Sequence, residues 1–409
     1  MGMRGGLFFA AGSLLLALTD AGNAVAVTVP FTLDHNRMLV DAEIQRSDGS
    51  WRGVRLWVDT GNPDFLVSAQ LASDLGLDAN GSAPGSGGGG ATSREVRIPG
   101  GVRIVGTRLS FEGVHTEVLS EPGWLFSTTH ADANLPSTVL RRYRVMFDYP
   151  GRRVTLEAPG AGEHRGVRVP AAVHPATGIV QVDAALDGKT VSFALDNGAS
   201  YSFASEDVVA DLAQRHTKWH RTAGAVGCAN IWGWWPREQE WPVIRVPEIV
   251  VGGVRLGEVG LVGLPSFFPE GASLGAWYSK KTARPVEGFL GPNALRPFRV
   301  EIDYANGAVY LERGAPAEAH DMDLVGVTLR PQPDGSYTVL GVAGGAGGGG
   351  SGGVRPGDTL VRIGSLEVKG ATMGTVVDAL RGRPGEARTL VVERQGKPLR
   401  IEATVRRWL

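Results

Sequence analysis

The amino-acid sequence predicts a mainly β protein of two homologous β-barrel lobes with short helices, followed by a smaller β-rich unit. Three observations carry that reading. A strand, an acidic turn and a capped helix recur 137 residues apart, both copies close on the same hairpin pattern, and the pattern changes after Gly314. Internal repeats outrank element-by-element assignment, and 409 residues at roughly 100–200 per domain leave room for two or three units.

Taken in chain order, the first segment is an address. Residues 1–4 give a short positive start, 7–18 an almost unbroken apolar run, and Ala24-Val25-Ala26 a small-x-small cleavage site. Residues 1–26 are therefore expected to be a signal peptide. A run of about twelve apolar residues is too short to cross a bilayer, which takes ~20. The expected product is periplasmic or secreted, begins near Val27 and keeps no stable membrane span.

The first lobe, 27–159, carries an apolar strand at 54–58 that runs into Asp59-Thr60-Gly61-Asn62. The second, 160–314, carries a strand at 191–195 that runs into Asp196-Asn197-Gly198-Ala199. Beyond the turns the copies stay aligned: Phe203 matches Leu66, Ser205 matches Ser68, Asp211 matches Asp74 and Leu212 matches Leu75. Each serine stands where an N-cap opens a short amphipathic helix. Residues 140–157 and 295–312 close the lobes as hairpins, with Pro150-Gly151 and Asn306-Gly307 in their turns. The glycine run 85–90 favours a surface loop. In the last unit, 320–409, turns fall at Asp334-Gly335, Pro356-Gly357 and Gln395-Gly396, a glycine-rich stretch fills 344–353, and a helix is expected near 372–381.

Composition excludes several functions. Lys and Arg total 41 against 42 Asp and Glu, a net charge of -1, so the basic footprint of a nucleic-acid binder is missing. The single cysteine, Cys228, forms neither an internal disulfide nor a cysteine-based metal site. The eight histidines show no metal-ligand spacing, and His115, His164 and His174 are expected on surface loops. Residues 271–275 spell a nucleophile elbow around Ser273 without the strand-to-helix context it needs. Five of the ten tryptophans lie between Trp219 and Trp241; they read as a local core under a long loop, with aromatic walls of a peptide pocket as the alternative.

One Asp-x-Gly turn is ordinarily only a turn. Two copies related by a pseudo-twofold axis would set Asp59 against Asp196, and two touching carboxylates cannot both ionise, so they share a proton. Such a pair can deprotonate a water while hydrogen-bonding a developing oxyanion. Gly61 and Gly198 let the turn backbones approach, and the Thr60 hydroxyl could brace the opposite turn.

These residues resemble the retropepsin-like and pepsin-like aspartic proteases, in the bacterial form with two tandem lobes in one chain. The resemblance covers about 38–311, and GFLGPNALRPFRVEIDY at 288–304 looks like the family's apolar-apolar-glycine segment. It implies that Asp59 and Asp196 are the catalytic pair of an aspartic endopeptidase, that Thr60 and Asn197 brace the turns, that Gly61 and Gly198 are the turn glycines, and that no cofactor is needed. Three positions depart from it. Asn197 replaces a hydroxyl residue, Asn62 a small one, and Pro136 the glycine of the first-lobe segment Ala133-Asn134-Leu135-Pro136. A catalytically degenerate pair of peptide-binding lobes therefore stands as the alternative.

The last unit resembles a PDZ domain, most specifically in VRPGDTLVRIGSLEV at 354–368. That likeness implies a groove for an extended C-terminal peptide, lined by Gly326, Val327 and Leu329 on a strand and by Val376, Val377 and Leu380 on a helix. The expected partners are a peptide or protein substrate and a peptide captured by this groove.

Overall fold

The structure, a computed structural model, describes residues 26–77, 84–85, 93–96, 98, 100–119, 126, 128–231, 233, 235, 237–266, 276, 278, 280–344 and 352–409. All but the last residue of the expected signal peptide 1–26, the elbow at 271–275, Trp232, Trp234 and most of both glycine runs lie outside the described residues.

Each lobe is a barrel-like sheet built on the same pairing scheme. In the first, Trp51–Asp59 lies antiparallel to Arg37–Gln45 and parallel to Ala133–Pro136, which also pairs with Phe65–Ser68. In the second, Lys189–Leu195 lies antiparallel to Val180–Leu186 and parallel to Gly288–Leu290, which pairs with Ser202–Ser205. The repeat read from the sequence is thus a repeat of topology. Pro242–Val251 closes the second barrel by pairing with both Val180–Leu186 and Val254–Leu264.

The expected helices follow, with one difference at their caps. Ser68 Oγ accepts the Leu71 amide at 3.1 Å and opens Ala69–Asp74. Ser205 makes no such bond at the start of Glu206–Arg215, whose first turn instead carries Glu206 and Asp207. Acidic side chains there complement the helix dipole.

The lobes meet in a six-stranded sheet whose order is symmetric: Val27–Pro30, Arg153–Glu157 and Arg144–Asp148, then Phe298–Asp303, Ala308–Arg313 and Val167–Pro170. Both predicted hairpins are here, and their inner strands pair across the lobe boundary with Met146 opposite Glu301. This sheet fixes the lobes about the pseudo-twofold. Its centre holds a buried ion pair, Arg144 Nε to Glu301 Oε1 at 2.8 Å and Nη2 to Oε2 at 3.0 Å. His164 lies exposed on a surface loop, as expected, and also stacks on Tyr310 at 4.1 Å and bonds Glu301 at 2.5 Å.

The C-terminal unit has Val327–Pro331 at the edge of a sheet that continues through Tyr337–Val342, Thr359–Ile363, Ala387–Arg394 and Lys397–Thr404. Thr372 caps its helix, Met373–Leu380. Apolar burial forms two main cores. One runs through both lobes; the other joins Phe203, Trp235, Trp241 and Phe289 of the second lobe to Leu329, Val376, Val377 and Leu380 of the C-terminal unit. Trp235 and Trp241 are therefore core residues.

Removing Glu301 leaves Arg144 with Glu157 at 2.8 Å as its remaining carboxylate. Glu301→Ala is expected to lower unfolding free energy by about 1.5–3 kcal/mol, the worth of the charged hydrogen bonds lost, and Glu301→Ala with Glu157→Ala, which strips the buried guanidinium of both carboxylates, by about 3–5 kcal/mol. Urea unfolding of the two variants measures both.

Candidate active site

Two strand ends bring the acidic turns together. Asp59 ends Trp51–Asp59 with Pro136 beside it in the parallel partner, and the Asp196 amide donates to Leu290 O at 3.0 Å. The carboxyls are 7% and 8% exposed. How closely the turns meet is shown by their glycines. A Cβ on Gly61 would lie 2.4 Å from the Asp196 carboxyl carbon, and one on Gly198 would lie 2.4 Å from Asp59 Oδ1. Only glycine fits at either position.

Backbone donors hold both carboxylates. Gly61 N–H reaches Asp59 Oδ1 at 3.0 Å, while Gly198 N–H and Ala199 N–H reach Asp196 Oδ1 at 2.9 and 3.0 Å. The brace between the turns also forms. Thr60 Oγ1 donates to Leu195 O at 2.9 Å and accepts the Asn197 amide at 3.1 Å, and the Thr60 amide donates to Asn197 Oδ1 at 2.9 Å. The asparagine therefore reproduces the accepting half of a hydroxyl's role. Its Nδ2 is buried without a hydrogen-bond partner, so the donating half is absent.

The other departures are accommodated locally. Asn62 Oδ1 accepts the Asp64 amide at 3.1 Å, closing its own turn. In the second lobe Gly291 N–H is met by Ser202 Oγ at 2.8 Å, and a Cβ there would lie 2.6 Å from Tyr201 C. In the first lobe Phe65 stands in place of Ser202, and Pro136 brings no N–H to satisfy.

Burial pushes both acids up. For Asp59 burial comes first and the Asp196 charge second, lifting it well above the usual carboxylate range against the pull of Gly61, Arg37 and Asn62. Burial lifts Asp196 to about 6, against hydrogen bonds from Ala199 and Gly198 and the charge of Arg37. The two titrate as one system.

Arg37 was not singled out by the sequence. It is 1% exposed, donates from Nε to Gly198 O at 3.3 Å and from Nη2 to Ile231 O, and lies 4.8 Å over the Trp57 ring. Burial draws its own pKa down to about 10, opposed by Asp34, Asp59, Asp196 and Glu238. Tyr278 was missed as well; burial, then the charges of Asp196 and Asp59, holds its phenol up. Neither residue is near an acidic turn in the chain, so no local signal marks such contacts.

The residues expected to line a C-terminal groove come together on Val327–Pro331 and Met373–Leu380, but they are buried rather than open. Val327, Leu329, Val376, Val377 and Leu380 are all at most 2% exposed, and a Cβ on Gly326 would lie 2.3 Å from the Trp408 ring. The neighbours that cover them belong to the second lobe.

No protein-family model matches the chain, and no curated protein matches it. Among solved structures it is similar to an aspartic proteinase from Irpex lacteus, at 13% identity and a TM-score of 0.41, over 72% of this chain and 99% of that one.

A raised carboxyl pKa makes stability fall as pH rises through the folded value. For Asp196 that window runs from its ordinary value of 3.8 to about 6. Asp196→Asn, whose Oδ1 can still accept from Gly198 and Ala199, is expected to be more stable than the parent at pH 7, with the difference vanishing near pH 4. Thermal unfolding at the two pH values tests it.

Proposed function

We propose that the chain is an aspartic endopeptidase in which Asp59 and Asp196 act as one unit on a water molecule. One carboxylate takes the proton of the water as its oxygen attacks the amide carbonyl, and the protonated partner donates to the oxygen on which charge develops. The observation that carries the reading is the reciprocal approach of the turns, each glycine lying against the opposite carboxylate and the pair spanned by Thr60 and Asn197. Asp196, with two backbone donors, is suited to hold the negative charge; Asp59, held higher, is suited to keep the proton. Export of the enzyme to the periplasm or beyond is part of the proposal and rests on residues 1–26.

A second reading keeps the lobes as a peptide-binding cleft without turnover. The unpaired Nδ2 of Asn197 favours it, because a brace that bonds on one side only holds its turn less firmly.

A peptide-library digest with the purified protein from acidic to neutral pH decides between them. Cleavage is expected to rise as pH passes about 6, where the first carboxyl of the pair ionises. Asp59→Asn and Asp196→Asn should each lose activity on the order of 10³-fold or more, with the double variant little worse. Asn197→Thr should leave activity unchanged or raise it. Activity that persists in either single variant sinks the proposal; a parent that binds peptides but cleaves none at any pH supports the second reading.

A further inference from the structure

The C-terminal groove has an occupant. Its strand wall, Val327–Pro331, is a sheet edge of the kind an extended peptide joins by pairing with backbone groups. The donors of that edge are committed or missing. Leu329 N–H goes to Asn230 Oδ1 at 3.2 Å, Val327 N–H turns back to Val325 O at 3.0 Å, and Pro331 has none. Two second-lobe glycines sit against the groove walls. A Cβ on Gly227 would lie 3.0 Å from Leu324 and 3.7 Å from Val377; one on Gly233 would lie 2.9 Å from Pro331 and 3.5 Å from both Leu329 O and Met373. Both glycines have positive φ, 54° and 79°, a conformation that suits a close approach of backbone.

The same segment faces the acidic turns on its other side. Cys228 O accepts Ser200 Oγ at 2.7 Å, Gly227 O accepts His35 Nε2 at 3.0 Å, and Ile231 O accepts Arg37. The groove helix reaches the same hairpin turn from beyond. Gly374 N–H donates to Asp34 Oδ1 at 3.0 Å, Thr372 Oγ1 donates to Asp34 Oδ2, and a Cβ on Gly374 would lie 2.4 Å from the His35 amide nitrogen. Residues 34–37 are thus clamped between the groove helix and the segment in the groove, and Arg37 at the end of the clamp holds Gly198 O.

We propose that the groove of the C-terminal unit is the docking site of the chain's own second-lobe segment, residues 226–231 with Gly233, and that this docking positions the paired carboxylates through Asp34 and Arg37. An external peptide entering by strand addition must displace Asn230 from Leu329, and with it the carbonyls that hold His35 and Arg37. The groove then acts as a brace of the site instead of a collector of substrates. The inference rests on the proposed pair for its effect on activity, so its test uses readouts that need no turnover.

Full-length protein carrying ¹³C at its aspartate carboxyls is titrated by NMR, with Asp59→Asn and Asp196→Asn assigning the pair. Gly374→Val drives the helix off residues 34–35 without touching either acidic turn, and Thr372→Val removes one bond to Asp34. The groups facing the pair are Arg37, Tyr149 and Tyr278; around the clamp stand Asp34, His35 and Glu238, with Asp378 and Arg381 from the groove helix and its end, and Arg296 from the second lobe. Loosening Arg37 should raise the first ionisation of the pair by about one pH unit in Gly374→Val, tenfold in proton affinity, and by less in Thr372→Val. A fluorescent decapeptide ending in a free valine carboxylate should show no saturable binding to the parent. Unchanged titration in the folded variants overturns the positioning role, and Thr372→Val alone carries this arm if Gly374→Val does not fold. Saturable peptide binding to the parent, with the Leu329 amide still protected from hydrogen exchange, overturns the occupancy. Failure of the proposed protease activity would instead leave an inert protein that titrates as described.

Discussion

Two carboxylates buried side by side repel each other, so nothing in their own interaction explains their proximity. The hydrogen bonds that cross between the acidic turns do: Thr60 to Leu195 O, Asn197 N–H to Thr60, and Thr60 N–H to Asn197. These bonds are short-range and need both backbones in contact, which only glycine at 61 and 198 allows. They also need the lobes held about one axis, a task for the symmetric six-stranded sheet between them. Strand pairing, core and turn chemistry are therefore all constrained by one small region near the pseudo-twofold.

The two lobes solve the same local problem differently, and the differences are paired. Where the second lobe has Gly291, its free N–H requires an acceptor and Ser202 supplies one. Where the first lobe has Pro136, there is no N–H, and Phe65 supplies no hydroxyl. Either combination leaves no orphaned donor; a glycine opposite the phenylalanine would lack that acceptor. Asn134 then takes over strand bracing in the first lobe, accepting the Leu66 amide at 2.7 Å and donating to Asp64 O at 3.0 Å. Departure from a pattern at one position is not by itself a sign of decay when a second position changes with it. Asn197 lacks such a compensating partner for its Nδ2.

The parts that were legible in the sequence are those that repeat or that are local. The spacing of Asp59 and Asp196 revealed the duplication, and the turns Pro150-Gly151, Asn306-Gly307 and Gln395-Gly396 marked hairpins that form as expected. What stayed hidden depends on chain segments far apart. Arg37 meets Ile231 O across 194 residues, and Gly374 meets Asp34 across 340. No periodicity encodes such contacts, because each side of the contact looks like an ordinary polar turn. The groove residues illustrate the limit: Leu329, Val376 and Val377 were expected on a binding surface through the resemblance to a PDZ domain, and an apolar side chain looks the same in sequence whether it is open to a peptide or buried, as these three are.

The charge around the pair follows from the same packing. Arg37 brings one positive charge into a region from which water is largely excluded, and burial, with the charge of Arg37 second, keeps His35 neutral by lowering it to about 3, so His35 adds no positive charge beside it at neutral pH. Burial also lifts Asp34 and carries Glu238 to about 7. One ionised carboxylate in the pair then balances the guanidinium, whereas a second would leave an uncompensated charge at a site less than a tenth exposed. Burial and the neighbouring charge both disfavour ionising the second carboxyl, and the guanidinium beside the pair sits on a hairpin turn of the first lobe that bonds to the second lobe and to the C-terminal helix.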